Sequence, residues 1–242
     1  MEHSTGDAES SGIFSLSTPN PVRDVLLVGT PIVVLGALGT LLGLSTIEGG
    51  ALVNLGYVLA VFVGAILLKR QGSSWLALGL TRPASWVRTV LAGVGAGVGA
   101  AIVFVAVQAL VLSALLSLGV PVTGIDQSRF NPIEGNLHLF LLMVLLAWTT
   151  IAVAEEWFYR AFLITRLTDH ANVGQWLAIL VAGALFGAVH FAEGPVGVLS
   201  NGAFGVLFGW IYLRSGRNMW ITVVGHGLLN TLRFSLLYAG AA

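Results

Sequence analysis

The sequence has 242 residues, of which 56% are hydrophobic and only 9% are charged, whereas a soluble globular domain carries roughly 25% charged residues. So few charges would not cover the surface of a soluble protein, and the composition therefore indicates a membrane protein. Eleven basic and eleven acidic residues cancel to a formal net charge of zero, which excludes a basic nucleic-acid-binding surface, and the lack of cysteine excludes disulfides, thiolate metal ligands and cysteine nucleophiles.

A polar N-terminal segment precedes a series of apolar stretches. Residues 1–23 contain no apolar run, so we expect a disordered tail ahead of one transmembrane domain at residues 24–240. About 20 apolar residues in a helix span a hydrocarbon core of about 30 Å. By this criterion the predicted spans are 25–44, 49–68, 89–119, 137–167, 172–192, 195–213 and 218–240. The sequence therefore predicts an all-α, polytopic bundle of about seven transmembrane helices.

Basic residues lie at one set of predicted helix ends. If the N-terminal tail is cytoplasmic, the cytoplasmic ends carry Arg or Lys at positions 23, 69, 70, 82, 88, 166, 214 and 217. Only Arg129 lies in a predicted outer loop, whereas the outer loops hold Glu48, Asp126, Glu134 and Glu193. Because cytoplasmic loops retain positive charge, we expect a multi-pass protein of the cell membrane with its N-terminus in the cytoplasm.

Costly polar side chains inside the predicted spans are confined to the C-terminal half of the chain. An Asp, Lys or Arg inside a membrane costs roughly 2.5–3.5 kcal/mol on insertion scales and is a functional candidate by default. Three spans carry polar side chains of this kind. The first holds Glu155, Glu156 and Arg160; the second holds His190, with Phe186 four residues before it; and the third holds His226, Asn230 and Arg233. The main spacings of three and four residues direct each group to one helix face. Three such faces imply one shared polar site inside the bundle.

The residue types at this site fit two kinds of chemistry. Adjacent carboxylates beside imidazoles suit acid and base catalysis, in which a group such as Glu155 activates a water molecule. His226 and Asn230 present N–H donors from successive turns, as is needed where negative charge develops on a carbonyl oxygen. The alternative is a metal centre, since Glu155, His190 and His226 form a His₂Glu set of the catalytic zinc type. Spacing alone leaves both open.

Two further classes of function fit the same cluster. One is a proton-coupled membrane transporter, in which the Glu and His side chains form a relay. The other is a non-catalytic membrane scaffold or immunity factor that keeps these residues for folding. Common protease signatures are absent, because the sequence contains neither H-E-x-x-H nor G-x-S-x-G.

Three motifs carry a resemblance to a known family. Residues 155–160 match E-E-x-x-x-R, residues 186–190 match F-x-x-x-H, and residues 226–230 match H-x-x-x-N. In this order, each within a hydrophobic span, they resemble the CAAX prenyl protease and bacteriocin-processing family of intramembrane peptidases, which includes the type II CAAX prenyl endopeptidases. The resemblance covers about residues 137–239.

The resemblance implies an endopeptidase that cleaves near the C-terminus of a membrane-associated protein or peptide, which is prenylated in the eukaryotic precedent. Glu155 resembles the catalytic glutamate that activates the attacking water together with His190. His226 and Asn230 resemble the residues that stabilise the tetrahedral oxyanion. These four residues are therefore the expected catalytic set.

The resemblance also suggests roles for the remaining motif residues. Glu156 and Arg160 are expected to act as a supporting acid and an orienting cation. The family has been described both as metal-dependent, with zinc as the candidate ion, and as glutamate-dependent. We favour the second because Asn230 is a poor zinc ligand and a good amide donor. Arg233 lies outside the motifs and is expected to extend outward from the last helix rather than to counter a glutamate in the cavity.

Overall fold

Seven long helices follow one another in the part of the chain that the computed structural model describes, residues 16–44, 46–74, 78, 80–120 and 128–241. They are α1 (Pro21–Leu41), α2 (Thr46–Arg70), α3 (Trp86–Ser117), α4 (Leu137–His170), α5 (Gln175–Ala188), α6 (Gly194–Arg214) and α7 (Met219–Tyr238). The described residues contain no β-strand, which confirms the all-α prediction. Residues 1–15 of the predicted tail lie outside the described residues.

Five of the described helices are long and apolar enough to cross a membrane. They are α1, most of α2, α3, α4, and α6 with the short turn before it. Helix α5 has only 14 residues, about 21 Å at 1.5 Å per residue, which is less than the hydrocarbon thickness of about 30 Å. The predicted polytopic bundle is confirmed. Helix α5, however, is too short to span the hydrocarbon core, so the turn after it does not reach the far side of the membrane.

Helix α4 departs from regular α-helical geometry around the first motif. It is π-helical over Ala147–Ile151 and again over Trp157–Ile164, and the single α-helical turn Ala152–Glu156 lies between these stretches. π-Helical turns close their hydrogen bonds from residue i to i+5 and are frequent at functional sites. Both motif glutamates lie on the α-helical turn between the two π-helical stretches.

The helices around the third motif approach one another closely through glycines. A Cβ atom on Gly97 of α3 would lie 3.0 Å from the carbonyl oxygen of Gly225 on α7. A Cβ atom on Gly187 of α5 would lie 3.0 Å from the backbone of Gly202 on α6. Small residues permit such backbone contact in lipid, where dispersion holds helices together. These contacts hold α3 against α7 and α5 against α6.

A buried polar network joins the α1–α2 hairpin to α4. Asp24 of α1 is fully buried, and its Oδ2 accepts a 2.9 Å hydrogen bond from Nε2 of Gln71, just after α2. Nη2 of Arg166 on α4 donates to Oε1 of Gln71 at 2.6 Å, and its Nη1 lies 3.6 Å from Oδ2 of Asp24. The predicted cytoplasmic ends of these three helices therefore lie together.

Candidate active site

The first and third motifs meet in a charged cluster between α4 and α7. Oε1 of Glu156 lies 2.8 Å from Nδ1 of His226 and 3.1 Å from Nη1 of Arg160. Glu156 and Arg160 are fully buried, and His226 is 4% exposed. The carboxylate of Glu156 is thus shared between a guanidinium and an imidazole. Because Nδ1 of His226 faces Glu156, its Nε2 atom is the ring nitrogen left to face the rest of the site.

Glu155 approaches the opposite side of the same imidazole. Its Oε2 lies 3.8 Å from Nε2 of His226. The side chain of Glu155 is 12% exposed, whereas that of Glu156 is 0% exposed. The two neighbouring carboxylates therefore differ in their surroundings, and Glu155 is the one that a bound molecule can reach.

Aromatic rings from α5 and α6 surround the guanidinium of Arg160. Its central carbon lies 4.8 Å from the ring centre of Phe186 and 5.6 Å from those of Phe204 and Phe208. Ring faces attract a cation electrostatically, and the attraction is strongest away from water. Phe204 also packs against His226, with ring centres 4.9 Å apart. Sequence reasoning missed Phe204 and Phe208, for which the only signal was aromatic side chains at four-residue spacing.

His190 lies in the turn between α5 and α6. Its Nδ1 lies 2.9 Å from the carbonyl oxygen of Phe186, which fits donation from an Nδ1–H group. In a neutral ring, this donation from Nδ1–H leaves Nε2 as the hydrogen-bond acceptor. Within the described residues, no hydrogen bond or ion pair joins His190 to Glu155.

Asn230 lies one helical turn beyond His226 on α7. The four-residue spacing brings both side chains to one face of the helix, as the sequence predicted. Asn230 is half-buried, and its amide makes no hydrogen bond within the described part of the chain. The structure thus aligns Asn230 with His226 without joining it to the charged cluster.

A second ion pair lies beside His190 and includes a residue outside the motifs. Oε1 of Glu193 lies 3.9 Å from Nη1 of Arg233, and its Oε2 accepts a 3.2 Å hydrogen bond from Nδ2 of Asn201. The side chain of Glu193 is only 9% exposed. Arg233 is therefore directed towards the α5–α6 turn, contrary to the expectation that it extends outward. Sequence reasoning missed Asn201, although a polar residue within an apolar span could have indicated it.

The donor groups do not converge as a His₂Glu metal centre requires. Among the described residues, no three His, Asp or Glu side chains come close enough together to hold a metal ion. The residues present therefore do not fit the alternative set of Glu155, His190 and His226.

Fold and cluster together define an α-helical membrane protein with an ionisable site inside its bundle. Residues 137–232 match the family model described as Rce1-like, "Type II CAAX prenyl endopeptidase Rce1-like". The matched segment runs from the start of α4 into α7 and includes all three motifs. Over these residues the chain is similar to this family of CAAX-type membrane peptidases, which confirms the resemblance seen in the sequence. No curated protein and no solved structure matches the chain.

Proposed function

We propose that this protein is an intramembrane endopeptidase in which Glu155 is the general base. The observation that carries this proposal is the 3.8 Å approach of Glu155 to Nε2 of His226. Glu156 is already engaged by Arg160 and by the other nitrogen of His226. Only one carboxylate of the pair is therefore available to a water molecule and a substrate. The Rce1-like domain supports a peptidase at the level of the family.

Hydrolysis then follows general acid–base chemistry. Glu155 accepts a proton from water while the water oxygen forms a bond to the scissile carbonyl carbon. The neutral His190 ring assists by accepting a hydrogen bond from the same water through Nε2. Glu155 returns the proton to the leaving nitrogen as the C–N bond breaks, so that the products are a new carboxyl group and a new amine.

Negative charge on the carbonyl oxygen requires nearby donors. His226 and Asn230 supply them from one face of α7, through the ring Nε2–H and the amide group. Glu156 orients the His226 ring and stabilises its protonated form, as the buried carboxylate of a catalytic triad does. Arg160 in turn holds Glu156 in place through the 3.1 Å ion pair.

The substrate is a membrane-associated peptide or protein, because the reacting groups lie inside the bundle. On the face of α7 that carries the site, the side chain of His226 is 6% exposed and that of Arg233 is 30% exposed. The site therefore opens at the end of α7 remote from Arg217 and the other basic residues. Since basic ends face the cytoplasm, we assign a cytoplasmic N-terminus and access to the site from the outer side of the cell membrane.

Cleavage of a peptide library in proteoliposomes, followed by mass spectrometry, tests this function. We expect the wild type to cleave and Glu155→Gln to lower kcat by roughly 10²–10⁴-fold, the range of general-base catalysis. Glu48→Gln is the matched control, because Glu48 is an exposed carboxylate in the first turn of α2, and it should retain the wild-type rate. Cleavage by Glu155→Gln at the wild-type rate would contradict the assignment, and proton-coupled flux without cleavage would identify a transporter.

A further inference from the structure

Arg233 lies at the open end of the site, outside the three motifs. We propose that its guanidinium binds the free C-terminal carboxylate of the substrate and thereby selects a bond close to the chain end. This assignment rests on the proposed endopeptidase function. It adds that Arg233 sets the distance between the cleaved bond and the C-terminus of the substrate. The ligand it requires is the α-carboxylate of an unblocked peptide.

The spacing along α7 sets the length of the peptide segment that this site accepts. Arg233 follows His226 by seven residues, which keeps both on one helix face and separates them by about 10.5 Å. An extended peptide covers about 3.3–3.6 Å per residue. About three residues therefore fit between a carbonyl held at His226 and a carboxylate held at Arg233. A C-a-a-X terminus has three residues after its cysteine, and the matched family takes its name from that terminus.

The contacts of Arg233 direct its side chain into the site rather than towards lipid. Its ion-pair partner Glu193 is 9% exposed and is itself anchored by Asn201. The backbone N–H of Glu193 donates to the carbonyl oxygen of His190 at 2.9 Å. Arg233 therefore faces the turn that carries the second-motif histidine, and a peptide lying along α7 would pass between them.

Arg233 can bind a second carboxylate beside that of Glu193, whose Oε1 lies 3.9 Å from its Nη1. An arginine side chain presents five N–H donors in a planar fork that matches a carboxylate in a bidentate manner. Arg233 is 30% exposed, so the substrate reaches it, while Glu193 keeps its hydrogen bond to Asn201. An amidated terminus offers no charge to this fork.

Paired substrates that differ only at the C-terminus test the assignment. One membrane-anchored peptide ends in a free carboxylate and the other in a carboxamide, and both are cleaved in proteoliposomes. We expect the wild type to prefer the carboxylate about tenfold to a hundredfold in kcat/KM, the value of one charge-assisted pair. Arg233→Gln should bring this ratio close to one, mainly through KM for the carboxylate peptide. Arg214→Gln, an exposed arginine at the end of α6, should keep the wild-type ratio.

Equal cleavage of both peptides by the wild type would overturn the assignment, as would an unchanged ratio in Arg233→Gln. Arg233→Lys keeps the positive charge beside Glu193 but loses the planar guanidinium. It therefore controls for loss of the Glu193 ion pair, and it should give an intermediate ratio of kcat/KM for the two peptides. Binding of fluorescent versions of both peptides to Glu155→Gln separates recognition from catalysis. Preferential binding of the carboxylate peptide, without any cleavage by the wild type, would refute the endopeptidase function and retain the carboxylate site. Cleavage of both peptides without preference would retain the endopeptidase function and refute the carboxylate site.

Discussion

Oε1 of Glu156 lies 2.8 Å from Nδ1 of His226, a contact between residues 70 positions apart in the chain. It orients the imidazole so that Nε2 points towards Glu155, 3.8 Å away. The two adjacent glutamates therefore have different tasks in our account. Glu156 positions the ring, and Glu155 meets the water and the substrate.

Replacing Glu156 by glutamine should impair both stability and activity. The fully buried Arg160 would lose its carboxylate partner, and an uncompensated buried charge is strongly destabilising. His226 would also lose the carboxylate that fixes its orientation, so we expect kcat to fall by about 10²–10⁴-fold. The melting temperature in detergent and the cleavage rate measure the two effects separately.

The double variant Glu156→Gln/Arg160→Met separates these two roles. Replacing a buried ion pair by apolar groups is often neutral for stability, so the melting temperature should recover towards that of the wild type. The cleavage rate should stay low, because the imidazole is still without its carboxylate. Recovery of both quantities together would contradict the positioning role of Glu156.

The buried network at the other end of the bundle should affect stability. Asp24→Ala removes the carboxylate from a pair that is almost completely buried, with side-chain exposures of 0% for Asp24 and 2% for Arg166. Breaking such a pair costs about 3–5 kcal/mol, which should lower the melting temperature markedly. Thermal unfolding in detergent measures the change.

The exposed pair between Arg217 and Asp169 provides the matched control for this network. Its side chains are 31% and 39% exposed, and an exposed ion pair contributes about 0–1 kcal/mol. Asp169→Ala should therefore shift the melting temperature far less than Asp24→Ala. Equal shifts would show that burial of the Asp24 network is not what stabilises the hairpin.

The assigned orientation can be tested by cysteine labelling, since the chain contains no native cysteine. Ser117 ends α3 and Ser74 lies in the connection between α2 and α3, and both are exposed. A membrane-impermeant maleimide should label Ser117→Cys in intact cells and Ser74→Cys only after permeabilisation. The reverse pattern would put the N-terminus outside and the opening of the site on the cytoplasmic face.

Local spacing predicted much of the candidate site, because it depends on helix geometry alone. The four-residue separation of Glu156 and Arg160 predicted a shared face, and the structure joins them at 3.1 Å. The same spacing aligned Asn230 with His226. The composition likewise predicted a polytopic bundle, since long apolar stretches leave few other folds.

Tertiary contacts were beyond the reach of sequence spacing. Nothing in two adjacent glutamates indicates which one His226 contacts through Nδ1, because the answer depends on how α4 packs against α7. The π-helical stretches beside them also left no recognisable pattern. Arg233 was expected to extend outward because it lies near the end of the last helix. Because α5 is short, the turn after it places Glu193 beside Arg233. The length of α5 depends on where the chain turns around His190, which spacing does not predict.

A double-mutant cycle on Glu155 and His226 tests whether the two side chains act together in catalysis. Cleavage rates of one peptide are compared for the wild type, Glu155→Gln, His226→Ala and the double variant in proteoliposomes. Residues that act as one catalytic unit are strongly non-additive. We predict that the double variant is no slower than the slower single variant. Additive losses in activation free energy would contradict a joint role, and full activity in either single variant would refute the site.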